Sequence, residues 1–212
     1  MIFRRHWLAI LLAIIVGVAT ASPQFIAQRD PTFRGVFKLI NNDESYYMAR
    51  ARDVVDGHST LTNPYLFEYK TGESMQFWLP DYLLAKPLAI LGVDVYRGYW
   101  FYDFVLPIAL TLFTYAILFA LTSSSAWSLA GAAFFHLYWF FNLFNRPTSP
   151  QLIFLFWLAL FFMLLRIVAE PTRARIVAAT LLFGVLFYIY PYYWIFYTIL
   201  LSSNQNSYAA AR

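Results

Sequence analysis

The chain has 212 residues, 61 per cent of them apolar and only 12 per cent charged, about half the charged fraction of an average soluble domain. That balance excludes an ordinary water-soluble fold. The net charge of +4 is spread thinly, with no basic tract of the kind a nucleic-acid interface needs. The absence of cysteine excludes disulfides, thiolate metal sites and cysteine nucleophiles.

In chain order, a basic start (Arg4, Arg5, His6) leads into a first apolar run, residues 7–22. It reads as a membrane span or, since Ala19, Thr20 and Ala21 fit a small-residue cleavage pattern, as a signal peptide. Either reading places the chain beyond Ser22 outside the cytoplasm. A long polar region, 23–100, comes next. Within it, Asn42 as N-cap and Gly57 as C-cap predict a helix over 43–56. Leu83, Leu84, Pro87, Leu88 and Leu91 fall near helical spacing. With Asp81 and Lys86 keeping the segment polar and Pro80 at its start, they predict a helix lying on the membrane surface.

Four further apolar runs come after it, at 101–121, 127–144, 152–167 and 176–201, each near the length that crosses a bilayer, about 20 residues. Pro191 is expected to kink the last of them. Arg166, Arg173 and Arg175 flank the short loop between the fourth and fifth runs, and positive charge in short loops marks the cytoplasmic side. Threading from a cytoplasmic N-terminus gives the same answer. The expected fold is all-α: a polytopic transmembrane bundle of about five spans in one domain, with the external loop 23–100 carrying surface helices. The expected location is a multi-pass position in a bacterial cell membrane.

Three constellations could carry chemistry. Asp43 and Glu44 stand at the start of the first external helix, where Asp43, Tyr47 and Arg50 share a face at offsets of four and seven. The carboxylate could accept a proton from a hydroxyl, and the guanidinium could clamp a phosphate. Equally, acids in a first turn are favoured by the helix dipole alone. Arg146, in the proline-stiffened loop 145–151, faces either a site or the headgroups it would snorkel to. Tyr190 and Tyr192 flank Pro191, where their hydroxyls suit a sugar or a polar lipid head, or an aromatic belt. His136, within a span, reads as an interhelical hydrogen-bonding residue. His58 has no partner at a metal-ligand spacing.

The order of these pieces — basic start, first span, external Asp43-Glu44, then Tyr46-Tyr47-Met48-Ala49-Arg50-Ala51, Gly57, an interfacial stretch ending in Leu91-Gly92-Val93, and a bundle of spans — resembles the N-terminal part of the GT-C class of membrane glycosyltransferases. That class includes protein O-mannosyltransferases, the aminoarabinose transferase of lipid A and the oligosaccharyltransferase catalytic subunit. The resemblance implies transfer of a sugar from a polyprenyl-phosphate donor, at the outer membrane face, to a lipid, glycan or protein acceptor. It makes Asp43 and Glu44 the catalytic acids, and Tyr47, Arg50, Arg146, Tyr190 and Tyr192 substrate-binding residues. The loop 145–151 lacks the second acidic motif frequent in the class, which disfavours a divalent cation; no cofactor is expected with certainty. Members run to eight or more spans, so the resemblance implies a fragment of a longer protein. The alternative is a non-enzymatic multispanning subunit or transporter component. Ionisable groups gathered outside the spans speak against transport.

Overall fold

In the computed structural model, residues 2–35, 42–58, 60–66, 68, 72, 77–139 and 146–210 are described. These form eight α-helices: α1 (Ile2–Gln28), α2 (Asn42–Val55), α3 (Leu79–Leu91), α4 (Val95–Thr122), α5 (Ser125–Trp139), α6 (Ile153–Ala169), α7 (Arg173–Ile189) and α8 (Pro191–Ala210). No strand occurs among the described residues. The capping role of the Asn42 side chain and residues 140–144 of the third expected run lie outside what is described.

Among the described residues, three segments are long and apolar enough to cross a membrane: His6–Gln28, Val95–Thr122 and Pro147–Ala169. At a rise of about 1.5 Å per residue, the 23 residues of the first exceed a hydrocarbon core about 30 Å thick. Trp7, Leu8, Leu11, Ile14, Ile15 and Val18 are large apolar side chains left exposed along α1, a face that lipid would cover favourably. The opposite face is built into the bundle. Ala9 packs with Tyr115 of α4 and Ala132 of α5, and a Cβ on Gly17 would stand 2.6 Å from the Phe104 carbonyl oxygen. The two backbones meet there because that side chain is absent. Between α4 and α5, the Thr111 hydroxyl donates to the Pro107 carbonyl and so receives its 2.9 Å hydrogen bond from Nε2 of His136. The interhelical role read for His136 is the one it has.

The two helices of the polar region form where the sequence places them. α2 ends on Gly57 in the left-handed conformation (φ +91°), with the amide of His58 returning to Asp53 and that of Gly57 to Val54, a paired closure that glycine permits. α3 closes in the same way on Gly92 (φ +64°), having begun with Pro80 in its first turn. One expectation for α3 is corrected. Asp81 does not face water: it is buried, 1% exposed, along with Leu84, Ala85 and Leu88. The outward face instead carries Leu83, Ile90 and Leu91, apolar enough to rest on a membrane surface.

The last run, 176–201, is two helices. Tyr190 takes an extended conformation (φ −164°, ψ 130°) between α7 and α8, as Pro191 cannot donate an amide to a continuing helix. The break goes further than a kink. Tyr193, Phe196 and Tyr197 all pack round Trp157 of α6, and the Tyr197 hydroxyl donates to the Trp157 carbonyl at 2.7 Å. α8 is thereby folded back onto α6. The break, the turn Pro147–Leu152, and helices α2 and α3 meet at one end of the bundle.

Candidate functional site

At that end lies a cavity of about 250 Å³. Four pieces of chain build it: Tyr47 from α2, Asp81 from α3, Thr148 and Ser149 from the turn before α6, and Tyr190 and Tyr192 from the break before α8. Its scaffold is a set of hydrogen bonds between elements. The Tyr99 hydroxyl of α4 donates to the Tyr47 carbonyl at 3.3 Å, so its 2.8 Å contact with Thr148 Oγ1 is donated by the threonine. The Ser149 side chain hydrogen-bonds the Tyr47 hydroxyl. Burial pushes the Tyr47 phenol upward, with Ser149 pulling the other way, so it acts as a neutral O–H group.

Below the cavity sits a buried ion pair. Arg50 Nε and Nη2 both reach Asp81 Oδ2, at 2.9 and 2.8 Å. The remaining guanidinium donors go to the Tyr46 hydroxyl and the Leu61 carbonyl (3.2 Å each) and to the Phe77 carbonyl (3.1 Å). Leu61 is held in the left-handed region (φ +49°), which aims its carbonyl at this arginine. Burial works to lower the Arg50 guanidinium, but the Asp81 carboxylate outweighs it and keeps it charged. Burial is also the largest influence on Asp81 and lifts its carboxyl to about 6, against the opposing pull of Arg50. Its second oxygen, Oδ1, is buried and has no hydrogen-bond partner.

The expected site residues divide. Tyr47, Tyr190 and Tyr192 line the cavity. Asp43 and Arg146 form an ion pair beside it, Arg146 Nη1 donating to Asp43 Oδ2 at 2.5 Å; Arg146 immediately precedes the turn whose residues form the wall. The Arg146 Nε–H is buried without a partner. Arg50, expected to clamp a phosphate, is corrected to an internal role: its side chain is 1% exposed and its donors are taken by protein oxygens. Glu44 parts from Asp43, because neighbouring residues on a helix point about 100° apart. It is 1% exposed and turns inward toward Asp103 of α4, away from the cavity-lining residues.

Sequence reasoning missed Asp81, Thr148 and Ser149 as cavity residues and the buried Asp103–Gln151 hydrogen bond (2.9 Å). No sequence signal singles out Asp81, because the burial of Arg50 is not written in its own helix and nine of the eleven acids stand in residues 23–100. Among the described residues no group of three or more His, Asp or Glu side chains is arranged to hold a metal ion. Compared with known protein families, with curated proteins and with solved structures, the chain matches none.

Proposed function

We propose that the chain is part of, or forms, a membrane glycosyltransferase that moves a sugar from a polyprenyl-phosphate donor to a hydroxyl acceptor at the outer face of a bacterial membrane. The observation that carries this reading is convergence. Four elements far apart in sequence contribute hydroxyls, aromatic faces and a carboxylate to one cavity, with a guanidinium–carboxylate pair beside it. A purely structural assembly has no need of an aromatic cavity with a polar floor, whereas sugar sites are built in that way, from a few polar groups set among rings.

The residues divide the work by chemistry. Arg146 stands beside the cavity with Nη1 on Asp43, and its guanidinium suits an anionic phosphate, which such groups bind through parallel donors. Asp43, paired with it, is the acceptor for the proton of the incoming hydroxyl. In the transfer step the acceptor oxygen bonds to the anomeric carbon as the carbon–oxygen bond to phosphate breaks. The proton passes to Asp43, and polyprenyl phosphate leaves with its charge facing Arg146. The cytoplasmic N-terminus that this orientation requires rests on the arginines flanking the α6–α7 loop.

The test places the chain in proteoliposomes with radiolabelled polyprenyl-phosphate sugars and follows transfer of label. Asp43→Asn is expected to lower the rate by about 10²–10⁴, the usual contribution of a positioned base. Unchanged transfer would remove Asp43 from the chemistry. Absence of transfer by the unaltered chain with every sugar donor would remove the reading.

A further inference from the structure

A second, larger hollow lies between α1 and α4. Its volume is about 1000 Å³, against about 250 Å³ for the first, and the two share no lining residue. Tyr99 braces the first through Thr148, while Trp100 lines the second, since neighbours on a helix point about 100° apart. The helices that form this groove run antiparallel. His6 meets Tyr115, Gly17 lies against Phe104, and the Phe25 and Trp100 rings meet edge to face with centroids 4.8 Å apart. Gln28 and Arg97 therefore mark the outer end of the groove, and Val18 and Phe104 the inner end. Along α1 that depth is about 15 Å at the helical rise of about 1.5 Å per residue, half of a hydrocarbon core about 30 Å thick. Both helices belong to segments apolar enough to span, so the groove is one leaflet deep.

Its chemistry changes along that depth. At the headgroup end stand the Gln28 amide and the exposed Arg97 guanidinium, the one charged group among the described residues lining the groove. Further in come Ala21, Phe25 and Phe101, then Val18 and Phe104, all hydrocarbon and ring. Val18, Phe25 and Phe101 are exposed, so the groove opens sideways to the bilayer. Water filling it would leave that surface wet, at about 25 cal/mol per Å²; acyl chains cover it without this cost. An uncharged hydrophobe would leave the guanidinium unanswered, and a zwitterionic head would bring a second cation up to it. A phosphate with net negative charge matches it, through parallel N–H donors. We propose that this groove holds an anionic phospholipid, its phosphate on Arg97 and its acyl chains against Phe25, Phe101 and Phe104. Sugar transfer is not a premise of this site, which would stand if the enzyme reading fell.

The experiment reconstitutes the full chain in phosphatidylcholine vesicles with a small fraction of phosphatidylglycerol that carries a diazirine in its acyl chain. After irradiation, adducts are mapped to residues by mass spectrometry. They are expected at Val18, Phe25, Phe101 and Phe104, in excess over Ile26 and Phe187, which are exposed but do not line the groove. The same amount of diazirine-bearing phosphatidylcholine should label the groove about fivefold less, the preference that one arginine at a membrane surface gives an anionic lipid. Arg97→Gln should remove that preference. Arg173→Gln, at the far end of α7 from the cavity-lining Ile189, should leave it unchanged. The inference is overturned if adducts spread evenly over the exposed apolar residues, if the two lipids label the groove equally, or if Arg173→Gln acts as strongly as Arg97→Gln. It is overturned too if unlabelled polyprenyl phosphate, added in an amount equal to the labelled lipid, clears the groove, which would then belong to a carrier lipid.

Discussion

Among the arginine–aspartate pairs that tie α2 to other elements, the two nearest the cavity differ in nearly everything but composition. Arg50–Asp81 joins α2 to α3 with side chains 1% and 2% exposed; Arg146–Asp43 joins α2 to the turn before α6 with side chains 13% and 66% exposed. In the second pair water solvates Asp43 whether or not Arg146 is present, so losing the pair costs little on that side. Around the first there is none, and each charge depends on the other. The chemistry of a pair therefore says less about its task than its surroundings do. The accessible pair can release a donor to a ligand. The inaccessible one is a clamp that fixes α3 to α2 behind the cavity wall.

The largest effect should come from breaking the buried pair on one side. Arg50→Ala leaves Asp81 without its counter-charge and is expected to cost about 3–5 kcal/mol, measured by denaturant unfolding in detergent. Removing both charges in Arg50→Met with Asp81→Leu should recover most of that loss, because desolvation offsets much of what such a pair gains. A double variant as unstable as the single one would mean that the pair is a true stabiliser, and the contrast between the two pairs would be sharper still. The pH dependence of the unaltered chain probes the same balance. Burial outweighs Arg50 and raises the Asp81 carboxyl to about 6, so the folded state holds this proton more tightly than the unfolded chain, whose carboxylates titrate near 4. Stability should consequently fall as pH rises from about 4 to about 6, the window between these two values. A rise across that window in the unaltered chain, absent in the double variant, would show that Arg50 dominates after all.

The same contrast explains what could be read in the sequence. Helix existence was legible: Gly57 closes α2 as its position foretold, and Gly92 closes α3 by the same local means, a left-handed glycine after the last turn. The position of the break at Pro191 was legible for the same reason, though not its extent. Burial was not. Asp43, Tyr47 and Arg50 do repeat at helical spacing, yet one is exposed, one half-buried and one enclosed, because α3 and the Leu61 and Phe77 carbonyls come from distant parts of the chain to cover the last. Asp81 looked like a surface group for want of that knowledge. The fold-back of α8 likewise depends on Trp157, far upstream on α6, and no local pattern announces it.

The smallest effect is the one that decides whether Asp43 has a task beyond its own helix. Asp43→Asn removes an exposed ion pair, worth about 0.2–1 kcal/mol, and a first-turn charge on the α2 dipole, worth about 0.3–1 kcal/mol. Both terms are screened by salt. The variant should therefore unfold within about 0.5–2 kcal/mol of the unaltered chain at low ionic strength, the sum of those two terms, and closer still when salt is added. A matching small change in sugar transfer would make Asp43 a helix-steadying acid and nothing more. A stability change of this size accompanied by a much larger loss of transfer would separate the two tasks, since neither a cap nor a solvated ion pair can account for a catalytic loss that salt does not erase. A destabilisation as deep as that of Arg50→Ala would instead mean that Asp43 is enclosed in the membrane-bound protein, and the contrast between the two pairs would fail.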